Sequence, residues 1–167
     1  AHAMRDMVEA LGLPHEMASY NGRLGLAIGA RGHGNAMAHY EPLLRTINLT
    51  RKSGVGSVAH EWGHFLDNIL PETMFGHGKG SFGSESFHMN PHLTRNLPDG
   101  EREEAEGVRG SMHNLMEYLN NHVKHRIRRD YSKNPSWASG LSADKLHAYW
   151  LSGKELFARA FEKHIDK

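Results

Sequence analysis

Apolar positions recur along the chain in two registers, a period near two early on and a period near 3.6 from the middle onward. Met7, Val8 and Leu11 mark a short helix over residues 5–12, closed by Gly12 and Pro14. Leu24-Gly-Leu-Ala-Ile28 and Ala36-Met-Ala-His-Tyr40 flank the glycine-rich run Ala30-Arg-Gly-His-Gly34, which predicts a hairpin with a loose loop. Thr46-Ile-Asn-Leu-Thr50 alternates polar and apolar residues, as a half-buried strand does. The period then lengthens. Val55, Val58, Ala59, Trp62, Phe65, Leu66 and Ile69 share one helical face, predicting a helix from about Gly56 to Leu70 with Pro71 as its stop.

Residues 76–100 are rich in Gly, Ser, His, Asn and Pro and read as a long irregular loop, either a flap over a site or a plain connector. A second long helix follows from Glu101 to about Arg129, with Ala105, Val108, Met112, Leu115, Leu119, Val123 and Ile127 on one face. Lys124, Arg126, Arg128 and Arg129 cluster at its end, where cations complement the helix dipole. Two shorter helices complete the pattern, about Ala143 to Leu151 and Gly153 to Ile165. The expected fold class is α+β: a small mixed or antiparallel sheet packed against the first long helix, then a mainly helical C-terminal half. No repeat or internal boundary divides residues 1–167, so one domain is expected, cut from a larger polypeptide.

Composition narrows the function classes. There is no cysteine, which rules out a disulfide framework and a thiolate metal site. The formal net charge of +1 argues against a dedicated nucleic-acid binder. No apolar run approaches the roughly 20 residues that cross a bilayer. No signal-peptide pattern opens the chain, and Ala1 to Met4 read as a cloning remnant, so a targeting segment could have been removed. A cytoplasmic protein is expected, or one delivered into a host cell within a larger polypeptide. Histidine is the unusual component, at 14 residues.

Two of those histidines lie in His60-Glu-Trp-Gly-His64, an HExxH pattern. Residues four apart on a helix share a face, so both imidazoles can reach one ion. Glu61 stands one position round, able to touch a water on that ion and take its proton. A chance HExxH is expected roughly 0.09 times in a chain of this His and Glu content, so context has to decide. The context here is a helix whose apolar stripe is complete without the histidines. Asp67 follows on the polar face, either as an acceptor that orients a ligand imidazole or as a plain surface carboxylate.

Two protein ligands are too few, since catalytic zinc typically has three. Ile69 and Leu70 stand where an HExxHxxGxxH arrangement would place its third histidine. Glu155 near the start of the last helix is the leading candidate, with Glu162 as the alternative ligand. Ser152-Gly-Lys-Glu155 also has capping-box spacing, which offers Glu155 a purely structural role.

His60-Glu-Trp-Gly-His-Phe-Leu-Asp67 together with Glu155-Leu-Phe-Ala-Arg-Ala-Phe161 resembles the gluzincin-type metallopeptidases. More specifically, His39-Tyr-Glu-Pro42, Ile47-Asn-Leu-Thr-Arg51, the HExxH segment and the tail through Glu162 resemble the zincin domain of phage and mobile-element polyvalent proteins (large polyvalent protein-associated domains). The likeness runs from about Gly29 to His164. The catalytic domain of anthrax lethal factor is more distantly similar. The resemblance implies a zincin-like fold and Zn2+ held by His60, His64 and Glu155, with Glu61 as general base of peptide-bond hydrolysis. It also implies a protein or peptide substrate paired along an edge strand near Thr46–Thr50. Tyr149 is the nearest equivalent of a tyrosine that polarises the substrate carbonyl, although its spacing to Glu155 is shifted by one, and packing beside Trp150 is the other reading. His77 or His88 from the loop could stabilise the oxyanion instead. The thermolysin-like Asn-Glu-x-x-Ser-Asp motif is absent. A zinc-stabilised module that binds protein or nucleic acid without turnover is the rival function, and the retained Glu61 argues against it.

Overall fold

The computed structural model describes residues 2–29, 38–50, 55–75, 81–85, 92, 94–126, 129 and 148–165. Its elements run α1 (His2–Ala10), a 3-10 turn (His15–Ser19), β1 (Gly25–Ile28), β2 (Ala38–Glu41), β3 (Thr46–Leu49), α2 (Val55–Phe75), α3 (Asp99–Tyr118), a π-helical segment (Leu119–Val123) and α4 (Gly153–Ile165). The fold is mixed α+β, mainly helical, with one small mixed sheet. Among the described residues, no helix is long and apolar enough to cross a membrane. The chain forms two compact units, Ala1–Ile69 with Ala158–Lys167, and Leu70–Phe157. Each division falls inside a continuous helix, α2 in one case and α4 in the other.

In the first unit the sheet order is β1-β3-β2, with β1 parallel and β2 antiparallel to β3. Two expectations are corrected here. The strands flanking the glycine-rich run do not pair with each other; the hairpin is β2–β3, and its tip is Pro42-Leu43-Leu44-Arg45. Arg45 closes that turn in the left-handed region at φ 48, a conformation usually given to Gly or Asn. Glycine richness pointed to the wrong turn because this one carries only Pro42 as a turn signal, followed by two leucines and an arginine. The second correction concerns Thr46–Thr50, expected at a sheet edge. Both sides of β3 are taken, by β1 and by β2, so its backbone cannot receive a further strand. Centrality also explains why Asn48 is buried beside Ile47 instead of alternating with it. The Asn48 amide donates to Glu41 Oε1 at 2.7 Å, which keeps part of its polar surface satisfied.

The core of this unit gathers around α2. Val58, Ala59, Trp62, Phe65 and Ile69 pack with Met4, Met7 and Val8 of α1, Leu24 and Ile47. Met4 belongs to that core, and α1 starts at His2, ahead of the expected residue 5. Each large side chain removed from water here contributes roughly 1.5–3 kcal/mol. Phe65 takes three edge-on aromatic contacts, from Tyr20 at 5.5 Å, Tyr40 at 5.9 Å and Trp62 at 6.1 Å. Tyr40 also donates its hydroxyl to Asn68 Oδ1 at 2.9 Å, tying β2 to α2.

The helix does not stop at Pro71 but runs on to Phe75. Proline lacks the N–H that would reach the carbonyl of residue 67, and it costs a helix interior about 3 kcal/mol. Burial of the Pro71 ring offsets part of that cost.

In the second unit α3 begins at Asp99, with Asp99 and Glu101 at the positive end of its dipole. Ala105, Met112 and Leu119 of the expected face are buried and Met116 joins them, whereas Leu115 of that face is exposed. Its regular winding gives way to the π segment at Leu119, inside the single helix expected from Glu101 to Arg129. At the start of α4, a Cβ on Gly153 would lie 2.6 Å from the Ser84 carbonyl oxygen, so only glycine fits this approach. The expected glycine-rich loop 30–34, residues 76–80, 86–91 and 93 of the loop expected over 76–100, Ile127, Arg128 and most of the helix from Ala143 lie outside the described residues.

Candidate metal centre

The polar face of α2 carries His60, Glu61, His64 and Asp67, opposite the stripe that fills the core. One helical turn separates the two histidines, and their rings meet edge to face with centroids 4.8 Å apart. That face is not open to solvent. Glu61 and His64 are buried and Asp67 is 0% exposed, which removes the surface-carboxylate reading of Asp67.

What covers this part of α2 is α4. Trp62 stacks on Phe161 at 5.3 Å between ring centroids. Gly63 brings the two helices into close contact: a Cβ added there would stand 3.2 Å from Ala158 Cα and 3.2 Å from Phe161 Cβ. The glycine between the histidines therefore sets how near α4 can come.

His60, His64 and Glu155 lie close together, each offering one donor atom, with all three atoms within 4.8 Å of one another. Among the described residues they form the one group of three His, Asp or Glu donors so arranged. Donors bound at zinc distances sit about 3.4 Å apart in a tetrahedron, so closing on an ion needs shifts of only about 1 Å. The donor chemistry fits: two neutral imidazoles and one carboxylate, with Glu155 only 1% exposed. Burying a carboxylate this deeply costs several kcal/mol without a compensating charge, and a divalent cation is one such charge.

The capping-box role of Glu155 is not realised. That box needs the Ser152 N–H for the glutamate, yet this N–H donates to Tyr149 O at 3.1 Å, and the Ser152 hydroxyl donates to the same carbonyl at 2.8 Å. Glu162 is not in the three-donor group; its Oε2 lies 3.5 Å from His60 Nδ1. Tyr149 is 48% exposed and sets its ring against Trp150 at 6.4 Å, the packing arrangement. His77 and His88 lie outside the described residues.

Two features escaped the sequence. Gly63 was legible only as a small residue in mid-helix, a position that costs about 1 kcal/mol relative to alanine and so invites a packing reason. The Glu162–His60 contact was signalled by the seven-residue spacing from Glu155, two turns along one face. No protein-family model, curated protein or solved structure matches the chain.

Proposed function

We propose that this chain is a zinc-dependent metallopeptidase with a zincin-like fold of the gluzincin type. The observation that carries the reading is the convergence of His60, His64 and Glu155 within 4.8 Å, with the buried Glu61 next to His60 on the same helix. His60 and His64 of α2 and Glu155 of α4 would hold the ion. Zinc held there would supply Lewis acidity towards a carbonyl and a water molecule. Glu61 takes the proton from the attacking water and passes it to the departing amine nitrogen. Its burial beside the imidazoles keeps this carboxylate from being screened by solvent and holds it within reach of the reacting atoms. Asp67, three residues beyond His64 on the same helix, is a further buried carboxylate.

An extended peptide is the proposed substrate, pairing its backbone with a sheet edge. The central position of β3 leaves β1 and β2 as the edges among the described strands. Tyr149 enters only through the family likeness, as a candidate for polarising the carbonyl. A domain with a structural ion has no use for a carboxylate at position 61, and this favours hydrolysis over a silent binding module.

The test is incubation of the zinc-loaded protein with a diverse library of unstructured peptides, read by mass spectrometry. Cleavage is expected that stops on chelation and returns on adding zinc. A fully zinc-occupied protein that cuts no member of the library would reject the peptidase reading.

A further inference from the structure

We infer that Glu162 is a positioning residue for the metal pair, whose carboxylate accepts the Nδ1–H of His60 and so commits Nε2 of that ring to the ion. The inference rests on the metal-site reading above. It stands on the contact of Glu162 Oε2 with His60 Nδ1 at 3.5 Å, between side chains 27% and 16% exposed. A neutral imidazole carries one proton, and the ring nitrogen facing a carboxylate is the one that keeps it. The other nitrogen is then the lone-pair donor. A shift of about 0.6–0.8 Å, comparable to the closure needed at the three donors, turns this contact into a charge-assisted hydrogen bond.

The arrangement follows from α4 alone. Glu155 and Glu162 are seven residues apart, so they share a face and are separated by about 10 Å along the axis. One helix thus delivers two carboxylates with different work: the more buried Glu155 at the donor group, the more open Glu162 behind one of the rings. Ala158 and Phe161, which pack on Gly63, lie between the two along the helix. Glu162 stands outside the three-donor group, and this, more than its 3.5 Å contact, assigns it the positioning role.

Zinc affinity should be measured by chelator competition for the wild type, Glu162→Ala, Glu162→Gln and Glu155→Ala. Ring-nitrogen NMR of the zinc-loaded wild type should be recorded alongside, together with thermal unfolding of the zinc-free forms. Glu162→Ala is expected to weaken zinc by roughly 10- to 100-fold, with Glu162→Gln in between because its amide oxygen still accepts. His60 is expected to appear as the Nδ1–H form with zinc on Nε2, and zinc-free unfolding temperatures should match. Unchanged affinity in Glu162→Ala, or zinc on His60 Nδ1, overturns the inference while leaving the metal site standing. Loss of zinc from Glu162→Ala with retention in Glu155→Ala overturns it too, by making Glu162 the ligand. A wild type that binds no zinc removes both readings together. If the alanine variant does not fold, the glutamine variant and the wild-type tautomer decide alone.

Discussion

Glu61→Gln is expected to abolish turnover while the protein still binds one zinc with nearly wild-type affinity. The amide keeps the size and burial of the side chain but cannot take a proton from the attacking water. Loss of positioned general base and acid together is worth roughly 10²–10⁴ in rate, and most of it should appear in kcat, with KM little changed. Glu61 is buried on α2 beside His60 and outside the three-donor group, so the substitution leaves the ligands intact. Side-by-side progress curves and metal analysis of the two proteins check this. Substantial activity in the glutamine variant would remove Glu61 from the mechanism.

The second large effect is expected at a residue without chemistry of its own. In an isolated helix, Gly63→Ala would gain about 1 kcal/mol. Here the added methyl meets Ala158 Cα and Phe161 Cβ at 3.2 Å, and a backbone atom cannot rotate away. Overpacking of this kind costs typically about 1–3 kcal/mol, so the propensity gain and the clash nearly cancel for alanine. The ion is less forgiving than the fold. In the proposed site Glu155 comes from the same helix as Ala158, and coordination distances vary by only about 0.2 Å. Gly63→Ala is therefore expected to lose zinc affinity by tenfold or more while its unfolding temperature changes little. Gly63→Leu should lose both. Chelator competition and thermal unfolding separate the two effects; wild-type zinc affinity in Gly63→Leu would show that the approach of α4 does not set the site.

Legibility in the sequence tracked how local the determining physics is. The extent of α4 from Gly153 to Ile165 and the core face of α2 follow from helical periodicity, and both appear as expected. His60 and His64 are a local pattern as well, one turn apart on one face. Glu155 was reachable from spacing but undecided between metal and cap, because a capping box and a ligand carboxylate look alike until the Ser152 N–H is assigned. Sheet order was out of reach. Strand pairing is a long-range choice, and the turn that matters, Pro42 to Arg45, presents leucines at its tip, Leu43 being 70% exposed. Pro71 misled for a related reason: its usual effect on a helix is local, whereas its burial is tertiary. Burial of Met116 where Leu115 was expected has the same origin, since the neighbours that bury one side are not written in the helix itself.

The central claim is that one divalent ion is held jointly by α2 and α4. Metal analysis of the purified wild type beside His60→Ala, His64→Ala and Glu155→Ala addresses it most directly. The account predicts one zinc per chain in the wild type and little or none in each variant, with secondary structure retained by circular dichroism. Full zinc occupancy in Glu155→Ala, or none in the wild type, would contradict it.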